Sequence, residues 1–184
     1  QAIAFNGYSL YLLDVDERTR DLYRLPAEGL TFSSNPESIF NGNIPTDLAK
    51  TTDMAIYEDN LFVLSQAGTL MECTLGNVQI QCQNNVGYGI IQSGQERQTS
   101  EVIAGTSFSQ LQSTQPPDPS LYFMDQSNNS VYHFSLSLNM QKQIRPDFVA
   151  LQSTPVSPLT AFTVSPYGIM HFAFGHELYF GYIP

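Results

Sequence analysis

The stretch from Leu121 to Pro146, LYFMDQSNNSVYHFSLSLNMQKQIRP, decides the predicted fold. An apolar run ends at Met124 and is followed by a polar turn, residues 126–130, and by a second run from Val131 to Phe134. Aromatic and β-branched runs on both sides of an Asn/Ser turn are typical of a β-hairpin. The stretch therefore predicts two antiparallel strands joined by a tight turn.

Similar hairpins recur along the chain. The strands that match the run at Leu121 begin at Leu10, Leu61 and Ile169, so the repeat interval is about fifty residues, which is typical of propeller blades with loop insertions. A small sheet is stable in water only when its faces are covered, and stacking such sheets around an axis covers them. The sequence therefore predicts an all-β chain, a β-propeller or partial propeller, with about four blades of three to four antiparallel strands. A β-sandwich is less favoured because the units resemble one another.

The predicted blades belong to a single domain and span residues 1–50, 51–104, 105–155 and 156–184. In the first blade, Pro26 is expected to end the strand that begins at Leu22. In the second, the alternation from Val78 to Cys82 predicts a strand whose partner is the run from Tyr88 to Ile91. Cys73 and Cys82 could meet across a hairpin or remain two free thiols, and the sequence leaves both alternatives open.

Two short motifs are similar to those of a known family: LYxxD, at Leu121 to Asp125, and VYxF, at Val131 to Phe134. The chain resembles the NHL/YncE-like propellers, and in particular the propellers at the C-terminal end of larger bacterial proteins, some of which carry a phosphatase or kinase-like module. The resemblance implies an interaction, scaffold or sensor domain within a longer protein. The chain begins with Gln1 rather than Met, which favours the same expectation, and the repeats fit either a four-bladed ring or part of a larger one.

Charge excludes several classes of partner. The net charge is −10, with seven basic and 17 acidic residues, and the basic residues are scattered along the sequence. Nucleic-acid binding and binding to an anionic membrane both need clustered Lys and Arg, so neither is predicted. No apolar run approaches the roughly 20 residues that span a bilayer, so no membrane insertion is expected within this chain. The compartment stays open, and an extracytoplasmic or secreted location is compatible with the composition.

Four tyrosines are the candidate ligand-binding residues because they lie at or near predicted turns, where a propeller presents its binding face. They are Tyr8, Tyr57, Tyr88 and Tyr167. The predicted partner is a protein or a small ligand, and pairing with another domain or with a second copy of the chain is a further expectation. The same tyrosines could instead pack under loops.

Candidate catalytic and metal-binding residues are few. His171 and His176 lack a third metal ligand, and Asp14 and Asp125 occupy equivalent repeat positions, which indicates turn caps rather than a catalytic pair. No nucleophile or nucleotide-binding motif is present, so we predict no catalytic residue, no metal and no cofactor. The predicted function is a non-catalytic interaction or ligand-sensing module. The alternative is a propeller hydrolase, lactonase-like or glycosidase-like, with a central acidic or metal site.

Overall fold

The computed structural model describes residues 2–16, 20–76, 80–83, 88–90, 98–100, 108–148, 155 and 157–183, with the backbone alone at 88–90 and 98–100. The chain divides into two compact units, Gln1–Val86 and Gly87–Pro184. Each unit contains two β-sheets, which we describe unit by unit.

Unit 1 contains sheets 1 and 2. The strands of sheet 1 are β1 Ala2–Phe5, β2 Ser9–Asp14, β3 Asp21–Glu28, β4 Thr31–Phe32 and β5 Glu37–Ser38. The first four are neighbours in that order, and β5 also pairs with β3. A 3-10 helix, Thr46–Lys50, leads into sheet 2, whose strands β6 Thr51–Tyr57, β7 Asn60–Ser65, β8 Leu70–Leu75 and β9 Ile80–Gln83 are neighbours in chain order.

The two sheets of unit 1 share one hydrophobic core. Alternate side chains of a strand point to the same face, and in β2 these are the buried Tyr11 and Leu13. They pack with Met54 and Ile56 of β6, and the core also contains Leu48 from the 3-10 helix. In β2, every second side chain is therefore buried, as expected for a strand with one face toward the core.

Unit 2 contains sheets 3 and 4. The strands of sheet 3 are β10 Tyr88–Ile90, β11 Gln98–Ser100, β12 Phe108–Ser113, β13 Ser120–Asp125, β14 Ser130–Ser135 and β15 Asn139–Ile144, in the order β11-β10-β15-β14-β13-β12. Sheet 4 consists of β16 Ala161–Val164, β17 Ile169–Phe174 and β18 Glu177–Tyr182. Side chains of β13 and β14, such as Met124 and Val131, pack with Phe162, Met170 and Phe172 of sheet 4.

The prediction of repeated antiparallel units is confirmed. The strands that contain Leu10, Leu61, Leu121 and Ile169 are β2, β7, β13 and β17, and each lies between the strands that precede and follow it in the chain. The hairpin predicted between Leu121 and Phe134 is present, and Met124 lies opposite Val131. Among the described residues, all strand pairs are antiparallel except β10 with β15, which is parallel.

Pro26 does not end its strand, because β3 continues to Glu28. Ala27 donates its N–H to the carbonyl oxygen of Tyr8, the residue before β2, at 2.8 Å, so the backbone nitrogen of Pro26 points away from β2. The missing N–H therefore removes no hydrogen bond from the β2–β3 ladder, and the proline is tolerated.

Two expectations about the second repeat have different outcomes. Cys73 and Cys82 form a disulfide between β8 and β9, which decides between the alternatives that the sequence left open. The expected pairing of Tyr88 to Ile91 with the Cys82 strand is wrong, because β10 pairs with β11 and, in parallel, with β15. A two-residue parallel pairing between distant segments leaves no local signal in the sequence.

Candidate interaction surfaces

Tyr8 lies on a rigid exposed turn of unit 1. Asn6 Oδ1 accepts hydrogen bonds from the backbone N–H groups of Tyr8 at 3.1 Å and Ser9 at 2.9 Å, and Gly7 has a φ of 92°. A positive φ is readily adopted by glycine, and the Asn side chain substitutes for a backbone partner, so the Asn6-Gly7 pair fixes the turn. The Tyr8 side chain is 80% exposed as a result.

Tyr57 lies beside this turn. It is the last residue of β6, it is half-buried, and Asn6 Nδ2 donates to the carbonyl oxygen of the next residue, Glu58, at 3.4 Å. Burial, followed by the carboxylate of Glu58, raises the pKa of Tyr57, so its hydroxyl is a neutral donor at physiological pH. The structure therefore brings Tyr8 and Tyr57 to the same end of unit 1.

Apolar and acidic side chains lie on the strand ends and turns that adjoin the two tyrosines. Phe5 and Phe32 are about half exposed and contact each other edge to face, with ring centroids 5.9 Å apart. Leu30 is fully exposed in the β3–β4 turn. We call this region the tyrosine surface and define it by Phe5, Tyr8, Leu30, Phe32 and Tyr57 together with the exposed acids Glu28, Glu58 and Asp59.

The other two predicted tyrosines lie in unit 2. Tyr167 is 82% exposed in the turn between β16 and β17, where Ser165 Oγ accepts from the N–H groups of Tyr167 and Ile169. Tyr88 is the first residue of β10 rather than a turn residue, and its side chain lies outside the described atoms. The role of all four tyrosines in binding stays a prediction.

His171 and Asp125 interact with residues of their own sheet or turn. His171 lies opposite Phe180 in sheet 4, with ring centroids 6.0 Å apart, and Asp125 accepts from Ser127 Oγ and Asn128 Nδ2 within its turn. In the part of the chain that the structure describes, no three His, Cys, Asp or Glu side chains are grouped so that they could hold a metal ion. The same part contains no helix long and apolar enough to span a bilayer.

Asp21 was not singled out as a structural centre by the sequence. Its carboxylate is buried and accepts hydrogen bonds from Ser38 Oγ and from the N–H groups of Leu22, Phe40 and Gly42. Burial alone would raise the pKa of Asp21, but these hydrogen bonds outweigh it and the pKa is lowered. Asp21 therefore anchors the segment that follows β4 to the start of β3.

A cleft of about 370 Å³ lies beside β18 in unit 2. Met170, Phe172 and Tyr179 give it an apolar floor, while Lys142, Arg145 and Asp147 lie along its other side. Leu178, Phe180 and Tyr182 of β18 are 68%, 71% and 80% exposed. No local pattern in the sequence predicts this cleft, because its lining comes from two segments more than twenty residues apart.

No family model and no curated protein matches the sequence. Among solved structures, virginiamycin B lyase from Staphylococcus aureus in complex with quinupristin aligns over 100% of this chain and 69% of its own, at 15% identity and a TM-score of 0.51. The chain has the β-propeller fold. At this identity the likeness shows the fold alone, and the hydrolase alternative stays a prediction.

Two further structures have lower TM-scores. They are YCF48 bound to a D1 peptide (10% identity, TM-score 0.38, 97% of this chain and 65% of that chain) and a selenomethionine form of the same lyase (15% identity, TM-score 0.43, 100% and 69%). The chain thus spans about two thirds of the length of these proteins.

Proposed function

We propose that this chain is a non-catalytic β-propeller interaction module that binds a protein partner through turns at one end of its sheets. The main observation in support of the proposal is the exposure of Tyr8, whose side chain is 80% exposed on a turn that the hydrogen bonds of Asn6 hold in place. A tyrosine held in place loses little conformational entropy on binding, and such residues commonly dominate interface energies. The adjoining turn at Tyr57 extends the surface.

The partner segment that suits this surface contains Lys or Arg next to apolar residues. Glu28, Glu58 and Asp59 are exposed around the aromatic side chains, and the whole chain has a net charge of −10. A guanidinium or ammonium group can stack on the Tyr8 ring and pair with these carboxylates. A small cationic ligand would use the same groups, and it is the second predicted partner class.

The finer assignments rest on the sequence resemblance. They are the relation to NHL/YncE-like propellers, the sensor role and the place within a larger bacterial protein. The disulfide between Cys73 and Cys82 supports an extracytoplasmic or secreted location, because disulfides persist mainly in oxidising compartments.

A random twelve-residue peptide library displayed on phage tests the proposal. We expect selection on the wild-type chain, with Tyr8→Ala as the counter-selected variant, to enrich basic peptides that bind Tyr8→Ala at least about tenfold more weakly. Tyr182→Ala is the matched control, because Tyr182 is equally exposed but lies in a strand of unit 2. Basic enriched peptides that bind Tyr8→Ala as well as the wild type, or a lack of enriched basic peptides, would overturn the proposal.

A further inference from the structure

Strand β18 is an edge strand of sheet 4 in unit 2. In the other three sheets, the third strand of the repeat pairs with a further strand: β3 with β4 and β5, β8 with β9, and β15 with β10. Among the described residues, β18 pairs with β17 alone. The backbone groups of an edge strand are available for pairing with another extended chain.

The direction of these backbone groups follows from one hydrogen bond. Ile183 donates its N–H to Gly168 O at 2.8 Å, so Ile183 faces β17. Successive residues of an antiparallel strand direct their N–H and C=O groups to opposite sides. Leu178, Phe180 and Tyr182 therefore direct theirs away from β17, toward the open edge, and their side chains are the three exposed apolar ones of β18.

The cleft beside β18 can receive the side chains of an added strand. Every second side chain of such a strand would point toward the floor formed by Met170, Phe172 and Tyr179. The floor is apolar, so those side chains should be apolar. Lys142 and Arg145 are two of the seven basic residues of an otherwise acidic chain, and together with Asp147 they give this side of the cleft a positive balance.

We infer that the β18 edge binds an extended, acidic segment of a partner protein by strand addition. Its backbone pairs with Leu178, Phe180 and Tyr182, its alternate apolar side chains fill the cleft, and a carboxylate of the segment lies near Lys142 and Arg145. A second copy of this chain is less favoured as the partner, because the chain is acidic overall, with a net charge of −10.

The segment's chemistry is opposite to that expected at the tyrosine surface, which favours Lys and Arg. The inference rests on the proposed role as an interaction module, but it concerns different residues in a different unit. A peptide that binds at the tyrosine surface should lose affinity on Tyr8→Ala but not on Phe180→Pro, and a peptide that binds at β18 should show the opposite. Each proposal can therefore be contradicted without affecting the other.

Phe180→Pro is the decisive variant. It removes the N–H of Phe180, which points to the open edge, and leaves the hydrogen bonds between β18 and β17 intact. Phe180→Ala is the matched control, since it removes the same ring and keeps the N–H. We expect twelve-residue phage peptides selected on the wild-type chain to include acidic sequences with alternate apolar residues, which lose at least about tenfold in affinity on Phe180→Pro and clearly less on Phe180→Ala.

Amide hydrogen exchange gives an independent readout. In the wild-type chain the amides of Leu178, Phe180 and Tyr182 should exchange quickly, and the selected peptides should protect these three. Circular dichroism checks that Phe180→Pro is folded, and Leu178→Pro replaces it if it is not. Acidic peptides that bind both Phe180 variants equally, the lack of any such peptide, or a dimer in light scattering that Phe180→Pro abolishes would each overturn the inference.

Discussion

The side-chain amide of Gln112 pairs with the backbone of Val164 as a neighbouring strand would. Val164 donates its N–H to Gln112 Oε1 at 2.9 Å, and Gln112 Nε2 donates to Val164 O at 2.8 Å. Gln110 forms the same pair of bonds with Phe162, at 3.1 and 3.3 Å. Two side chains of β12 thus satisfy the backbone of β16 and join sheets 3 and 4 of unit 2.

Replacing Gln112 with Glu should destabilise unit 2. The carboxylate cannot donate, so it leaves Val164 O without its partner and places a negative charge against that carbonyl. The loss of one hydrogen bond and the unsatisfied group together should lower the free energy of unfolding by about 2–3 kcal/mol in urea titrations. Gln141→Glu makes the same chemical change at an exposed position of β15 and should change it by less than about 0.5 kcal/mol. Equal effects of the two variants would contradict this role of Gln112.

These glutamines show which parts of the structure could be predicted. The strands at Leu10, Leu61, Leu121 and Ile169 follow from local apolar runs and turn residues, and the prediction located them. The partners of Gln110 and Gln112 lie 52 residues away, and an alternating Gln in a strand has the pattern of a solvent-facing residue. Their role depends on how two sheets pack, which local patterns do not contain.

The candidate sites divide in the same way. Tyr8 and Tyr167 were predicted from turn residues next to them, Asn6-Gly7 and Pro166 with Gly168, and the structure places both on exposed turns. The cleft at β18 has no counterpart in the sequence analysis. The cleft lies beside an open strand edge, which local sequence patterns do not predict. For the same reason, the expected partner of the Tyr88 strand was wrong, because β10 pairs with the distant strand β15.

Asp21→Asn should destabilise unit 1 in a pH-dependent way. The carboxylate accepts four hydrogen bonds, and the amide would turn one acceptor into a donor, so we expect a loss of about 2–3 kcal/mol at pH 7. Because the pKa of Asp21 is lowered by folding, its contribution is present above the unfolded pKa of about 3.9 and is lost as the pH falls through the folded value.

Urea titrations between pH 7 and pH 2 measure this difference. The gap between the wild type and Asp21→Asn should be largest near neutral pH and should shrink in acid. Asp16→Asn, at an exposed position of the β2–β3 connection, is the control and should remain close to the wild type. A gap that does not change with pH would mean that the charge of Asp21 does not matter.

The disulfide between Cys73 and Cys82 should stabilise sheet 2 by holding β9 on β8. The two residues are nine positions apart. Closing a loop of this length lowers the conformational entropy of the unfolded chain, which should stabilise the folded state by about 3 kcal/mol. Reduction of the wild type should therefore lower the urea midpoint. The double variant Cys73→Ala/Cys82→Ala should be equally less stable and insensitive to the reductant. If the reductant lowered the midpoint of the double variant as well, its effect on the wild type could not be assigned to this bond.

The stacked rings of Tyr122 and His133 predict an acid-sensitive pair in sheet 3. The ring centroids are 4.6 Å apart with an angle of 5° between the planes. Burial raises the pKa of Tyr122 to about 12 and lowers the pKa of His133 below the ordinary value of 6.5. The negative charge of Asp118 raises the pKa of His133 and the positive charge of Lys142 lowers it. Substitutions of these two neighbours should therefore move the pKa of His133 in opposite directions.

We expect an NMR titration of the His133 ring to give a midpoint below 6.5. Asp118→Asn should move this midpoint further down, because it removes a charge that favours the imidazolium, and Lys142→Ala should move it up. Since the unfolded chain takes up the proton first, stability should fall as the pH drops below the ordinary value of 6.5. His133→Gln should remove that part of the pH dependence. A midpoint at or above 6.5 would show that burial against Tyr122 does not control this histidine.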